Sequence, residues 1–504
     1  INEQEGTMSR YYLGIDQGTT NTTAVIADEN FNVISKAQRA HKQIYPHPGW
    51  VEHDPEEVLN NVILAAKDAI AGVAGIQPSE IKAMGLDHQG ETCVIWDKRT
   101  GKCVYNAIVW QDRRTSDIAD KYKKERGERI RQICGLLPDA YHSATKLKWI
   151  IDNVEGVKEN AERGLLLAGT LNSWIFWRLT GGKSHETDIS SAGSMMLLDI
   201  NDVCWSSELT ELTGIPQDML PEIVDTNHIY GYTDPEAFLG LRIPIAGGIT
   251  DSPSGMIGGG CIGEGVLKTS YGTGSFMHFQ TGKKLVKSQK GLFTRTCWML
   301  DGQPYYLLSG ASYVAGGAVS WLENIGLINR PEETEELAKK VNDSGDVYFV
   351  PAFSGLATPY WDQYARGMFI GLTAGTEKEH IVRAVLESLA YQVTNCYAAM
   401  RQDAGIQSSV MRADGGMVEN SFLMQFQADM LGIPVEVPEE KETCAFGAAC
   451  LAGYTMGDLD SLESLRKKVK VKKVYEPLMS EAERTERLSR WQEAARRSMN
   501  WAKK

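Results

Sequence analysis

An acid closes the apolar run Tyr11-Tyr12-Leu13-Gly14-Ile15-Asp16, and Gly18, Thr19, Thr20, Asn21, Thr22 and Thr23 follow almost at once. Leu13–Ile15 and Ala24–Ala27 read as two strands of a hairpin, with the glycine–threonine segment as its turn. A turn dense in N–H and hydroxyl groups suits a phosphate, which needs donors at close range. The same residue types also make ordinary hairpin turns. A carboxylate at the strand end suits Mg²⁺, which takes one or two carboxylates together with phosphate oxygens and water. Two related elements, Gly272-Thr273-Gly274 and Asp414-Gly415-Gly416, each follow a predicted strand. Glycine there lets backbone approach a ligand with no Cβ in the way. A second strand-terminal acid, Asp251, stands in the other half of the chain. One acid for a metal and one to accept a hydroxyl proton is the division that phosphoryl transfer to an alcohol requires.

The elements that must position these groups alternate between strand and helix. Asp54 before Pro55 is an N-cap signal for a helix reaching about Ala74. Ile81 to Asp97 reads as strand, polar break at Asp87–Thr92, and strand. Asn106–Thr115 reads as a buried strand ending in polar residues. Helical spacing covers about Ser116–Lys124, Ser143–Val154 and a segment opened by Asn172. The second half restarts the scheme, with strand, acid and small-residue helix over Arg242–Gly260, strand–turn–strand over Val266–Gly282, and a long helix over Lys378–Asp403. Thr443–Gly453 is a helix of small residues that another backbone can approach closely. The basic run Arg466–Lys473 reads as a solvated edge strand, where lysines block aggregation, in a C-terminal region from Leu465 that is otherwise largely helical. The expected fold class is α/β, with a weak internal duplication. Two domains, 8–247 and 248–504, are expected to flank a ligand cleft.

Composition narrows the classes. The 504 residues are 42% hydrophobic and 23% charged, as in ordinary globular proteins of two or three domains. A net charge of −13 argues against a nucleic-acid partner. Nine widely spaced cysteines without a CxxC fit a reducing, cytoplasmic setting better than a disulfide framework or zinc site. No run of 18 apolar residues suggests a membrane span. GxxxxGK[ST], HExxH and GxSxG are absent, and the GxGxxG match at Gly258–Gly263 lacks the preceding strand and downstream helix of a dinucleotide site. The seven residues before Met8 are set aside from the fold reading.

Seven spaced segments carry a resemblance: DQGTT (Asp16–Thr20), YPHPGWVEHDP (Tyr45–Pro55), NAIVWQDRRT (Asn106–Thr115), TKLKWI (Thr145–Ile150), SYGTGSFM (Ser270–Met277), VPAFSGLATPYWD (Val350–Asp362) and DGGMVENSFLMQFQAD (Asp414–Asp429). With them the chain resembles the FGGY carbohydrate kinases and, among these, the glycerol kinases. The resemblance implies two ribonuclease-H-like domains of the actin/hexokinase superfamily, a polyol on the N-terminal domain and ATP on the C-terminal one. It implies Asp16 as the Mg²⁺ residue and Asp251 as general base. Thr19, Thr20 and Asn21 would line the phosphate turn. Thr273, Gly316, Gly416 and Asn420 would bind nucleotide, with Ser320 at a position usually held by glutamine. Glu91, Trp110, Tyr141 and Phe276 would line the polyol pocket. Homodimers or homotetramers are common in the family.

The match breaks at the substrate end. His88-Gln89-Gly90-Glu91-Thr92 stands where the family usually reads Asn-Gln-Arg-Glu-Thr, so the arginine that would hold substrate hydroxyls is Gly90. Ser252 replaces a glutamine after Asp251, and Thr23 replaces an arginine near the phosphate turn. Losing an arginine removes a forked donor and its bulk. The expected acceptor is therefore a larger small polyol or ketose, of four or five carbons, with glycerol as the alternative. His88 either supplies a replacement hydrogen bond or is a surface-loop histidine. A non-catalytic ATP-binding sensor is the reading from another class; retention of both Asp16 and Asp251 argues against it. The segment Pro235–Pro244 lacks the histidine that is phosphorylated in some relatives, so no such switch is expected.

Overall fold

The structure, a computed structural model, describes residues 10–502. The seven leading residues and the expected domain limits 8 and 504 lie outside the described residues. Two compact units emerge. The first holds the chain up to Ile262 together with Arg295–Tyr306 and Glu442–Lys468; the second holds Gly263–Thr294, Leu307–Lys441 and Val469–Lys504. The chain thus passes between the units several times.

The first unit is built on a six-stranded sheet in the order Ile229–Tyr232, Pro244–Thr250, Ile81–His88, Tyr11–Gln17, Asn21–Ala27, Val33–Ala40. Its three central strands, Pro244–Thr250, Ile81–His88 and Tyr11–Gln17, run parallel, so their C-terminal ends come out together. The parallel strands are apolar on both faces, as strands covered on both sides must be. The edge strand Val33–Ala40 instead alternates half-buried and exposed residues. Helix Pro55–Ala71, capped by Asp54, packs on the hairpin Asn21–Ala40. Helix Thr443–Thr455 lies on Tyr11–Gln17 and Ile81–His88 although it is remote in sequence. It sits so low that a Cβ on Gly14 would stand 1.9 Å from the Ala445 carbonyl oxygen, and one on Gly85 would stand 2.0 Å from that of Ala448. The small-residue helix expected from sequence is therefore approached by backbone, and this contact draws Glu442–Lys468 into the first unit.

A seven-stranded sheet runs in the order Phe293–Leu300, Gln303–Ser312, Ser275–Gly282, Leu267–Tyr271, Met411–Asp414, Val435–Pro438, Val471–Tyr475, and all of it but the segment Arg295–Tyr306 belongs to the second unit. The core of that unit gathers around helices Lys378–Ala404 and Ser421–Leu431. The basic run ends in the edge strand Val471–Tyr475, as expected, after the short helix Leu462–Lys468.

Three local expectations change. The segment Asn106–Thr115 contributes only the two-residue strand Ala107–Ile108, because Asp112 turns back to accept from the Val51 amide. The helix from Ser116 runs on to Cys134, where Gly135 caps it in the left-handed conformation. Asp87 and His88 are not in a break; they complete the strand Ile81–His88.

Candidate active site

The parallel register of the first sheet pairs Gly14 with Gly85, Ile15 with Leu86, and Asp16 with Asp87. Two Gly-x-Asp strand ends therefore lie side by side. Asp87 is fully buried and neither carboxylate oxygen has a hydrogen-bond partner. Asp16, Asp87 and Cys444 offer ligand atoms within 4.8 Å of one another. Burial first holds both carboxyl groups, of Asp16 and of Asp87, above the ordinary range; the charges of Asp16 and Asp251 add to this for Asp87, and the charge of Asp251 adds to it for Asp16. Like charges without partners in such a place call for a cation. The two carboxylates fit Mg²⁺; the thiol beside them does not suit that ion.

Asp251 begins helix Asp251–Gly258 directly after the third parallel strand. Its Oδ1 accepts from the Ser252 amide at 2.6 Å and the Ser252 hydroxyl at 3.2 Å. Burial, then the nearby Glu91 charge, raises its pKa to about 6. The preceding Thr250 is held by Ser190, whose hydroxyl accepts from the Thr250 amide at 2.9 Å and donates to Asp188 at 2.5 Å. Asp188 also caps Ser191, and the Ser191 hydroxyl lies 2.8 Å from His88 Nε2. His88 is thus a fully buried strand residue and not a surface histidine, and burial lowers its pKa to about 3.

The other residues expected around the acceptor gather in the same unit. Glu91 is almost fully buried, and its carbonyl accepts from Ser143 at 2.9 Å. Gln89 reaches the Gly18 carbonyl at 3.4 Å and tethers the segment to the hairpin turn. Trp110 donates from its indole to Thr19 Oγ1 at 2.8 Å and meets the Tyr141 ring edge-on at 5.7 Å. Buried Lys146 holds Tyr141 in place by donating to the carbonyls of Ala140, Tyr141 and His142. Thr20 is exposed and its carbonyl accepts from the His41 amide, while Asn21 pairs with Thr20 and Thr23. Gly90 is left-handed at φ 72°, and an added Cβ would meet nothing within 4 Å.

Phe276 falls in the second unit, half-exposed on strand Ser275–Gly282. Among the nucleotide candidates of that unit, Thr273, Gly316 and the Gly415-Gly416 turn meet around the strand end at Tyr271. Gly316 and Gly317 donate to the carbonyls of Gly272 and Thr273 at 2.9 and 3.0 Å, so the Gly-Thr-Gly turn seats the start of helix Gly316–Asn324. Ser320 lies on that helix, exposed. Gly415, at φ 93°, would place a Cβ 2.3 Å from the Tyr271 carbonyl oxygen, so the Gly415-Gly416 turn packs on the same strand end. Asn420 caps helix Ser421–Leu431 and donates to Thr334 at 3.2 Å.

Two residues that carry the site escaped the sequence reading. Asp87 has a visible signal, since Gly85-Leu86-Asp87 repeats the pattern Gly14-Ile15-Asp16. Arg295 is the single charge in the strand Phe293–Leu300, and its Nη2 donates to Glu91 Oε1 at 2.5 Å. Its guanidinium pKa is held up by Glu91 and then Tyr141 against the effect of burial.

A unit with acids on parallel strand ends beside a glycine–threonine hairpin, and a second unit opened by the same kind of hairpin, define a mixed α/β phosphotransferase of the actin/hexokinase kind. The sequence models of the N-terminal and C-terminal domains of the FGGY family of carbohydrate kinases match residues 11–258 and 267–456. Glycerol kinase 2 of Thermotoga maritima is 49% identical over 98% of this chain and 100% of its own length. The glycerol kinase of Caldanaerobacter subterraneus is 47% identical with the same coverage. The crystal structure of Plasmodium falciparum glycerol kinase with ADP superposes with a TM-score of 0.93 at 35% identity, covering 97% of this chain and 98% of that one. A ligand-bound xylulose kinase from Lactobacillus acidophilus, 22% identical over 97% of each chain, shares the fold at a TM-score of 0.86. The chain belongs to the FGGY family of carbohydrate kinases and is an ATP-dependent kinase. No helix among the described residues is long and apolar enough to cross a membrane.

Proposed function

We propose that this enzyme transfers the γ-phosphoryl group of ATP to a terminal hydroxyl of a small polyol or ketose. The observation that carries the reading is the placement of Asp251, which opens a helix directly after a central parallel strand in the same unit as Glu91, Trp110 and Tyr141, where burial pushes its pKa up to about 6. A base poised near neutrality takes the hydroxyl proton as the oxygen attacks phosphorus. Asp16, with Asp87 beside it, would hold Mg²⁺, which when bound neutralises phosphate charge. Thr19, Thr20 and Asn21 orient the transferring phosphate from the hairpin turn. Glu91, Trp110 and Tyr141 fix the polyol, with His88, Gln89, Gly90 and Ser252 shaping its surroundings. Thr273, Gly316, Ser320, Gly416 and Asn420 seat the nucleotide on the second unit.

The open space at Gly90 favours a four- or five-carbon acceptor. Relatives at 47–49% identity named as glycerol kinases favour a second reading, in which glycerol itself is the acceptor and glycerol 3-phosphate the product. ADP release measured with and without polyol tests the proposal against a non-catalytic sensor. Release that depends on polyol and is lost in Asp251→Asn supports the kinase; ATP binding with no polyol-dependent release supports the sensor.

A further inference from the structure

We propose that Arg295 is a specificity-determining residue of the acceptor pocket, donating to hydroxyls of the polyol from a strand far from position 90 in sequence. The inference rests on the kinase reading above and names a recognition group for its acceptor.

Three observations converge on it. The backbone beside Glu91 is bare, since Gly90 carries no side chain and a Cβ there would touch nothing within 4 Å. Into the same neighbourhood comes a guanidinium whose Nη2 lies 2.5 Å from Glu91 Oε1 and which also interacts with Tyr141. The Arg295 side chain keeps 23% of its surface exposed, against 3% for Glu91. Arginine has five N–H donors in a fixed fork, so a bond to Glu91 and one to Tyr141 leave donors for a ligand.

Arg295 is also firmly placed within the first unit. Its neighbour Thr296 donates to the Ile189 carbonyl at 2.8 Å. Four residues on, Met299 exchanges bonds with Thr226 at 2.8 and 2.9 Å, and the Gly302 amide donates to Asp225 at 3.0 Å. The tip of the hairpin is thereby tied to the unit that holds Glu91, Tyr141 and Asp251. The guanidinium lies within electrostatic reach of Asp251, whose pKa it lowers. A carboxylate acceptor next to a forked donor matches a vicinal diol, in which one hydroxyl donates and its neighbour accepts. The pair selects a polyhydric alcohol or ketose by its adjacent hydroxyls, while Gly90 leaves room for length.

Steady-state ADP release by the full chain, comparing wild type with Arg295→Gln and Arg295→Lys over a panel of tetritols, pentitols and glycerol, tests this. The expected result for Arg295→Gln is a KM for the preferred polyol raised by about 10–100-fold, the range of one charged hydrogen bond. The KM for ATP stays within about twofold and kcat falls less than KM rises. Arg295→Lys, which keeps a positive charge against Glu91 and so protects folding, recovers part of the loss without the fork. A polyol KM unchanged in the folded variants overturns the inference alone. So does a loss confined to stability or kcat, which is what a purely structural ion pair gives. A wild type with no polyol-dependent release overturns the kinase reading and this inference with it.

Discussion

Asp16 and Asp87 face each other as a register pair on adjacent parallel strands, with Asp87 fully buried and unbonded at both oxygens. Their folded pKa values are raised, so the native state holds protons more tightly than the unfolded chain, whose aspartates titrate near 3.8. The contribution to stability is therefore best at low pH and is lost as pH rises from about 3.8 through the folded values. Asp87→Asn removes one of the two charges. It should stabilise the protein at pH 8 by about 1–3 kcal/mol and by little at pH 4. Urea unfolding at the two pH values reads this directly, and a variant less stable at pH 8 than wild type contradicts it.

Asp251 supplies the second pH dependence. With a pKa of about 6, the carboxylate that accepts the hydroxyl proton is lost as pH falls. The profile of kcat/KM for the polyol should fall about tenfold per pH unit on the acid side of roughly 6. Asp251→Asn should remove the acid limb and lower kcat by about 10²–10⁴-fold. A profile flat down to pH 5 in the wild type contradicts the assignment of Asp251 as base.

The contact of helix Thr443–Thr455 with the central strands sets a stringent packing prediction. A methyl group at position 85 would stand 2.0 Å from the Ala448 carbonyl oxygen, so the helix must move away from the strand that carries Asp87. Gly85→Ala should cost at least about 3 kcal/mol and lower the soluble yield. A thermal melt within about 2 °C of wild type would show that the helix tolerates displacement.

Asp188 ties two strand ends together. Through Ser190 it reaches Thr250, beside the base, and through Ser191 it reaches His88, beside Asp87. Asp188→Ala removes a helix cap and orphans buried hydroxyls, with an expected stability loss of about 2–4 kcal/mol. Because Ser190 and Ser191 link it to the residues beside Asp251 and Asp87, kcat should fall more than the KM for ATP rises. Kinetics measured on the folded variant at low temperature separate the two effects.

Much of this was legible in the sequence because local chemistry and tertiary role agree. The hairpin around Gly18, the Asp54 cap, the long helix to Ala404 and the small-residue helix at Thr443 follow from turn chemistry, capping and periodicity alone. Asp16 and Asp251 stand out because an acid ending an apolar strand is unusual. Asp87 was masked by its neighbours: His88, Gln89 and Thr92 read as a polar loop, yet Asp87 and His88 are strand residues whose polarity is absorbed by tertiary partners. Arg295 could not be matched to Glu91 from sequence, because the pairing spans 204 positions and depends on a hairpin anchored by Thr226 and Ile189. Interleaving of the units is equally non-local, since it follows from glycines at positions 14 and 85 receiving a helix from near the C-terminus.

The acceptor is the central claim, and kcat/KM across glycerol, dihydroxyacetone, tetritols, tetruloses, pentitols and pentuloses with Mg-ATP tests it most directly. The account predicts that a four- or five-carbon compound gives the highest value and that glycerol trails it by at least about tenfold, consistent with the space at Gly90. Glycerol as the best acceptor would contradict the enlarged pocket and make the chain a glycerol kinase in which Gly90 and Ser252 are tolerated.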